Sequence, residues 1–124
     1  MLFRSAIPSS VITTSNTLSS GPYLDYCKAN GLKPHPARMP EKLPSTFIKF
    51  LTDANDLVLD PFGGSNTTGA IAEALGRRWI SVEPQIDYIN ASKGRFLSEE
   101  EYKAIRLQLR ATETKKVAAT LFAE

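Results

Sequence analysis

The hydrophobic pattern is one of short apolar runs separated by breakers. Leu57-Val58-Leu59 is a continuous apolar run that ends at Asp60-Pro61, the pattern of a strand buried on both faces of a parallel sheet. Trp79-Ile80-Ser81-Val82 repeats that pattern and ends at Glu83-Pro84. Between them, residues 67–75 show helical spacing at Ile71, Ala72 and Leu75, and Gly76 stands where a left-handed C-terminal cap belongs. Upstream, Pro44 suits the first turn of a helix running to about Leu51, with Phe47, Ile48 and Leu51 as its buried stripe and residues 53–56 as the closing turn. Downstream, residues 86–96 predict a helix with Ile86, Tyr88, Ile89 and Phe96 facing inward. Ser98 and Glu101 then form a capping box, with Leu97 and Tyr102 as its hydrophobic staple, for a last helix that reaches Arg110 and frays in the Ala/Thr/Lys tail.

The first twenty or so residues are rich in Ser and Thr and contain Pro8, with Gly21-Pro22 just beyond, so they read as extended chain and loop. A short helix is expected over 23–29, with Tyr23, Leu24 and Cys27 on one face and Asn30-Gly31 as the stop. Pro34, Pro36 and Pro40 keep the backbone extended through Met39. The chain therefore divides into a Ser/Thr-rich arm with a short helix, 1–34, and a unit over 35–124. Strand, glycine turn, helix, strand, acidic residue and helix make a βαβα unit, with two parallel strands joined by a right-handed crossover. Two strands do not complete a doubly wound sheet, so this unit is expected to be part of a larger, parallel-rich one.

Composition narrows the class. A chain of 124 residues with 42% apolar content suits one domain, burying roughly two-thirds of its unfolded surface. The lone Cys27 closes no internal disulfide, and no Cys/His cluster offers a metal site, so a reducing, cytoplasmic setting is expected. Arg4 and Pro8 interrupt the apolar start at Leu2, Phe3 and Ile7 before a signal-peptide core can form, and no run has the length of a membrane span. A net charge of +2 says little, but Lys28, Lys33, Arg38, Lys42 and Lys49 face one acid, Glu41, across 28–49. That excess suits a phosphate- or carboxylate-facing surface, and equally a solvated basic face.

Chemistry concentrates in the run Asp60-Pro61-Phe62-Gly63-Gly64-Ser65-Asn66-Thr67-Thr68-Gly69, between the end of a strand and the start of a helix. Open α/β sheets bind ligands at that place. Gly63 and Gly64 permit positive φ and close backbone approach, and residues 65–68 offer donors at a positive helix N-terminus. A tight turn without a ligand is the plainer alternative. A phosphate loop would need Lys before Ser or Thr where Ala70 follows Gly69, and a dinucleotide turn would need Gly-x-Gly-x-x-Gly. A ribonucleoside without an obligatory phosphate remains. Glu83, at the end of the next strand, is placed to accept both ribose hydroxyl protons.

The run over 60–69 resembles the cofactor motif of the β-class DNA amino-methyltransferases. His35-Pro36-Ala37-Arg38-Met39-Pro40-Glu41-Lys42-Leu43-Pro44 resembles the motif that precedes it in that class. The arm, with Thr14-Ser15-Asn16-Thr17 and then Tyr23, Tyr26, Cys27 and Gly31, is similar to the N4-cytosine methyltransferases of restriction-modification systems. The likeness spans about 7–96. It implies a partial Rossmann-like methyltransferase fold and S-adenosylmethionine as cofactor. Asp60, Pro61 and the turn of Phe62, Gly63, Gly64, Ser65, Asn66, Thr67 and Thr68 would then surround the methionine part. Glu83 would hold the ribose, and Pro84 would border the adenine. Lys42 and Ser45 would lie near the methionine carboxylate, although Lys42 also reads as a surface lysine. His35 reads as a structural part of the Pro-rich turn, Trp79 as a packed strand residue, and Arg77-Arg78 as a solvated helix end.

One expected part is missing. In the family a Ser/Asp/Asn-Pro-Pro-Tyr/Phe motif holds the flipped base with its amino nitrogen toward the methyl sulfonium, and no two prolines are adjacent here. That motif precedes the cofactor motif in this class, so it is expected upstream of Met1, with most of the target-recognition region. No catalytic residue is therefore assigned within the chain. The readings are a fragment or split product active on DNA only with a complementary N-terminal chain, a non-catalytic S-adenosylmethionine-binding module, or a relic. Self-association is a further expectation, and N6-adenine stands as the alternative target.

Overall fold

A computed structural model describes residues 9–15 and 20–121. The readings placed on Leu2, Phe3, Arg4, Ile7, Pro8, Asn16 and Thr17 lie outside the described residues. Residues 9–15 form no helix or strand, as expected of the Ser/Thr-rich arm. Helix α1, Pro22–Ala29, starts with Pro22, whose missing N–H is an orphan at that position anyway. It ends at Asn30, and Gly31 follows with φ 63°. Helix α2 is Lys42–Leu51, with Pro44 in its first turn. Its buried pair is Pro44 and Ile48, whereas Phe47 and Leu51 are 52% and 68% exposed, against expectation. The packing partner of α2 is the next helix, which covers the Pro44/Ile48 side and leaves that flank open.

Strands β1, Leu57–Asp60, and β2, Arg78–Ser81, pair in parallel, Leu57 opposite Arg78 and Asp60 opposite Ser81. Helix α3, Thr67–Ala74, connects them and packs against both. Here a second expectation is corrected, because the strands are covered on one face. Paired residues of a parallel ladder share a face, and Val58, Asp60, Trp79 and Ser81 are half-buried on the α3 side, where Trp79 Nε1 donates to Glu73 at 3.1 Å. On the opposite face Leu57, Leu59, Ile80 and Val82 are each half or more exposed.

Helix α4, Ile86–Ser92, passes into one 3-10 turn, Lys93–Arg95, so the single helix expected over 86–96 is broken in two. Ile86 and Ile89 face solvent rather than the interior; the residues turned inward are Ala91 and Gly94. The reason is proximity to α1: a Cβ on Gly94 would lie 2.7 Å from that of Tyr26, which leaves room for small residues alone. Tyr23, Cys27 and Ala91 form the core there, with Leu24 and Leu32 beside it. Trp79 stacks on Phe96 with centroids 5.2 Å apart.

Helix α5, Glu99–Leu121, opens with the capping box, Glu101 N–H donating to Ser98 Oγ at 3.2 Å and Ser98 N–H to Glu101 Oε2 at 2.7 Å. It continues well past Arg110, which corrects the expected fraying. Lys28 Nζ donates to Glu113 at 2.8 Å and Gln108 to the Ala29 carbonyl at 3.3 Å, so α1 braces the helix beyond its first turns. Among the described residues no helix is long and apolar enough to cross a membrane.

Candidate functional site

The turn after β1 is built by short-range bonds from its own residues. Asp60 Oδ1 accepts the Phe62 N–H at 2.9 Å, which bends the chain as it leaves the strand. Gly63 N–H donates to the Val82 carbonyl at 2.8 Å, drawing the turn over the end of β2. A side chain at Gly63 would run into Ser81 Oγ. Gly64 has φ 54° and lies against the His35 ring. Asn66, also left-handed at φ 61°, caps α3 through Oδ1, which accepts the Gly69 N–H at 3.1 Å.

Glu83 crosses from the end of β2 to this turn. Its Oε2 accepts the Gly64 N–H at 2.9 Å and its Oε1 the Gln85 N–H at 2.9 Å. Asp60, Pro61, Phe62, Gly63, Gly64, Ser65, Thr67, Thr68, Glu83 and Pro84 then line one cleft of about 370 Å3, closed on its other side by His35, Ala37 and Met39. The motif residues and Glu83, read separately in the sequence, thus meet on one wall. Asn66 does not line it and serves as the helix cap.

Lys42 and Ser45 are not on that wall. Lys42 Nζ donates to the Thr13 carbonyl at 2.7 Å and borders a neighbouring cavity of about 500 Å3, which shares Met39 with the cleft. Ser45 is half-buried in α2. His35 has the structural bonds expected of it: its N–H donates to Tyr23 Oη at 2.9 Å, and its carbonyl accepts from Arg38 Nη1 at 2.9 Å. Its ring, 4.4 Å from that of Tyr88, also forms part of the cleft. Arg77 is bound rather than solvated, donating to Thr52 Oγ1, the Thr52 carbonyl and the Leu75 carbonyl.

Arg95 reaches the turn from outside the cleft, a contact that the sequence did not disclose. Its guanidinium donates to the carbonyl and hydroxyl of Ser65, and nothing in the spacing of 86–96 separates it from a solvated arginine. Burial pushes its pKa below the usual arginine value, and it remains a cation. Burial likewise pushes the Tyr23 hydroxyl and the Cys27 thiol upward.

A family profile described as DNA methylase, covering the N6 and N4 types, matches residues 9–94. This chain belongs to the N6/N4 DNA methylase family. The Type II methyltransferase M.PvuII of Proteus hauseri is 53% identical over 92 residues, which are 74% of this chain and 27% of that protein. M.HinfI of Haemophilus influenzae is 45% identical over 65 residues, 52% of this chain and 18% of that one. A solved PvuII DNA methyltransferase, described as cytosine-N4-specific, superimposes with TM-score 0.72 at 47% identity, covering 85% of this chain and 38% of its own. The chain thus spans under a third of the curated relatives it matches. The methylase fold here is partial and Rossmann-like, an α/β unit around a small parallel sheet.

Proposed function

We propose that the chain is the S-adenosylmethionine-binding part of a site-specific DNA methyltransferase acting on the exocyclic N4 amino group of cytosine. The observation that carries this reading is Glu83, held across the glycine turn at the carboxyl ends of two parallel strands. Each of its carboxylate oxygens accepts one backbone N–H and keeps a second lone pair, enough to receive ribose hydroxyls. The cleft has the size of a small-molecule site, and the backbone at Gly63 and Gly64 carries no side chain to block approach. The cofactor, when bound, supplies an electrophilic methyl group; the residues here bind and orient it. The cytosine-N4 target is favoured over N6-adenine by the description of the PvuII enzyme.

DNA is the substrate of the whole enzyme in this reading, with the target base flipped out of the duplex. The 124 residues contain no Pro-Pro-aromatic tetrapeptide, so the chain alone transfers no methyl group. A complementary methyltransferase polypeptide bearing that motif would add strands to the sheet and cover Leu57, Leu59, Ile80 and Val82.

Calorimetric titration with S-adenosylhomocysteine tests the binding. Weak, saturable binding that Glu83→Ala reduces is expected; a folded chain that binds none at millimolar ligand overturns the reading. Labelled methyl transfer to DNA by the isolated chain would refute its inactivity, whereas transfer appearing on mixing with the complementary polypeptide would support the division of labour.

A further inference from the structure

Arg95 lies one residue beyond the stretch matched by the family profile, and its side chain is 11% exposed. Nε donates to the Ser65 carbonyl at 2.6 Å and Nη2 to Ser65 Oγ at 2.8 Å. The same guanidinium sits over the Tyr23 ring, with Cζ 4.6 Å from the centroid. Tyr23 Oη accepts the His35 N–H, and the His35 ring lies where a Cβ on Gly64 would come within 3.4 Å of it. A circuit therefore closes around the turn: Ser65 to Arg95, Arg95 to Tyr23, Tyr23 to His35, His35 to Gly64. It ties two consecutive residues of the cleft wall to α1 and to the 3-10 turn after α4, elements that lie outside the strand-turn-helix unit.

We infer that Arg95 is a positioning residue for the cofactor cleft, fixing the turn at Gly64 and Ser65 in its ligand-ready shape. The inference rests on the cofactor reading above for its ligand. Its physical basis is the fork of the guanidinium. Two donors in one plane engage the main chain and the side chain of a single residue, so the peptide orientation and the Ser65 rotamer are set together. A lysine presents a point charge on a flexible stem and cannot set both. Ser65 is 3% exposed, so without Arg95 its carbonyl and hydroxyl lose charged donors where water does not readily replace them. Arg95 pairs with Glu41 at 4.0 Å and borders the neighbouring cavity rather than the cleft, so its influence on a ligand in the cleft runs through Ser65.

The test uses the full chain with Arg95→Met and Arg95→Lys. Without ligand, amide exchange followed by NMR reads the turn directly through the Asn66 and Gly69 amides, which donate within it, with the Tyr102 amide of α5 as an internal standard. Arg95→Met should speed exchange at Asn66 and Gly69 about tenfold, leave Tyr102 unchanged, and weaken S-adenosylhomocysteine binding by about tenfold. Arg95→Lys should fall between, and it carries the comparison if the methionine variant does not fold. Unchanged exchange at the turn overturns the inference. Faster exchange with unchanged affinity overturns it as well, since the turn would then not govern the cleft. A wild-type chain that binds no ligand refutes the cofactor reading instead, and the exchange data still decide whether Arg95 fixes the turn.

Discussion

Glu83 and Gly64 are joined by a 2.9 Å bond from the glycine amide to Oε2, while Oε1 of the same carboxylate holds the amide of Gln85. One acidic side chain thus fixes the turn behind the cleft and the entry to α4. Charge-assisted bonds of this kind are worth about 1.5–3 kcal/mol each. Glu83→Ala should therefore weaken S-adenosylhomocysteine binding by about tenfold or more. Glu83→Gln, which keeps one carbonyl acceptor, should lose less. Titration calorimetry of both variants checks the order; equal affinities for the wild type and the alanine variant would remove Glu83 from the site.

Gly63 is required by the neighbour it would otherwise meet. Its missing side chain leaves room for Ser81 Oγ, a buried hydroxyl that has no hydrogen-bond partner among the described residues. Gly63→Ala should cost about 1–3 kcal/mol through overpacking. Ser81→Ala alone should be close to neutral, because it removes a buried group without a partner. In the double variant most of the Gly63→Ala loss should return, giving a coupling of about 1 kcal/mol or more. Urea unfolding of the four proteins measures the cycle, and strict additivity would refute the contact.

The open sheet face should drive association. Leu59 and Ile80 face each other across the ladder and are 62% and 50% exposed. Sedimentation over a concentration series should show self-association of the wild-type chain, or binding of the complementary polypeptide, that Leu59→Lys weakens. A wild-type chain that stays a monodisperse monomer and binds no such polypeptide would exclude this face as an interface.

Alkaline pH should unfold the α1 core first. Unfolded, Cys27 and Tyr23 ionise near their ordinary values of 9.0 and 10.0, and burial raises both in the folded chain. A raised acid binds more protons when folded, so its contribution is complete below the unfolded value and is lost as pH rises through the folded one. The melting temperature should hold up to about pH 8 and fall above about pH 9. Cys27→Ala should flatten the first part of that fall. A melting temperature that does not change between neutral pH and about pH 10 would contradict the assignment.

The local elements were legible where adjacent residues carry the signal. The capping box at Ser98 and Glu101, the Asn30-Gly31 stop and the strand-glycine turn-helix order depend on dihedral preferences and neighbouring bonds, which act over a few residues. Burial was less legible. Ile86 and Ile89 have helical apolar spacing, yet Ala91 and Gly94 take the interior, because α1 approaches too closely for larger side chains.

The sequence by itself determined the two parallel strands, the glycine turn over 62–66 and the acid at Glu83, since each is written in contiguous residues with distinct backbone or charge requirements. The tertiary structure decided which of these meet. It brought Glu83 onto Gly64, set Lys42 on Thr13 beside a second cavity, and carried Arg95 across thirty residues of chain to Ser65. The reason is that an arginine on an irregular helix end has the same local pattern whether it faces water or a buried carbonyl. Chain packing alone distinguishes the two.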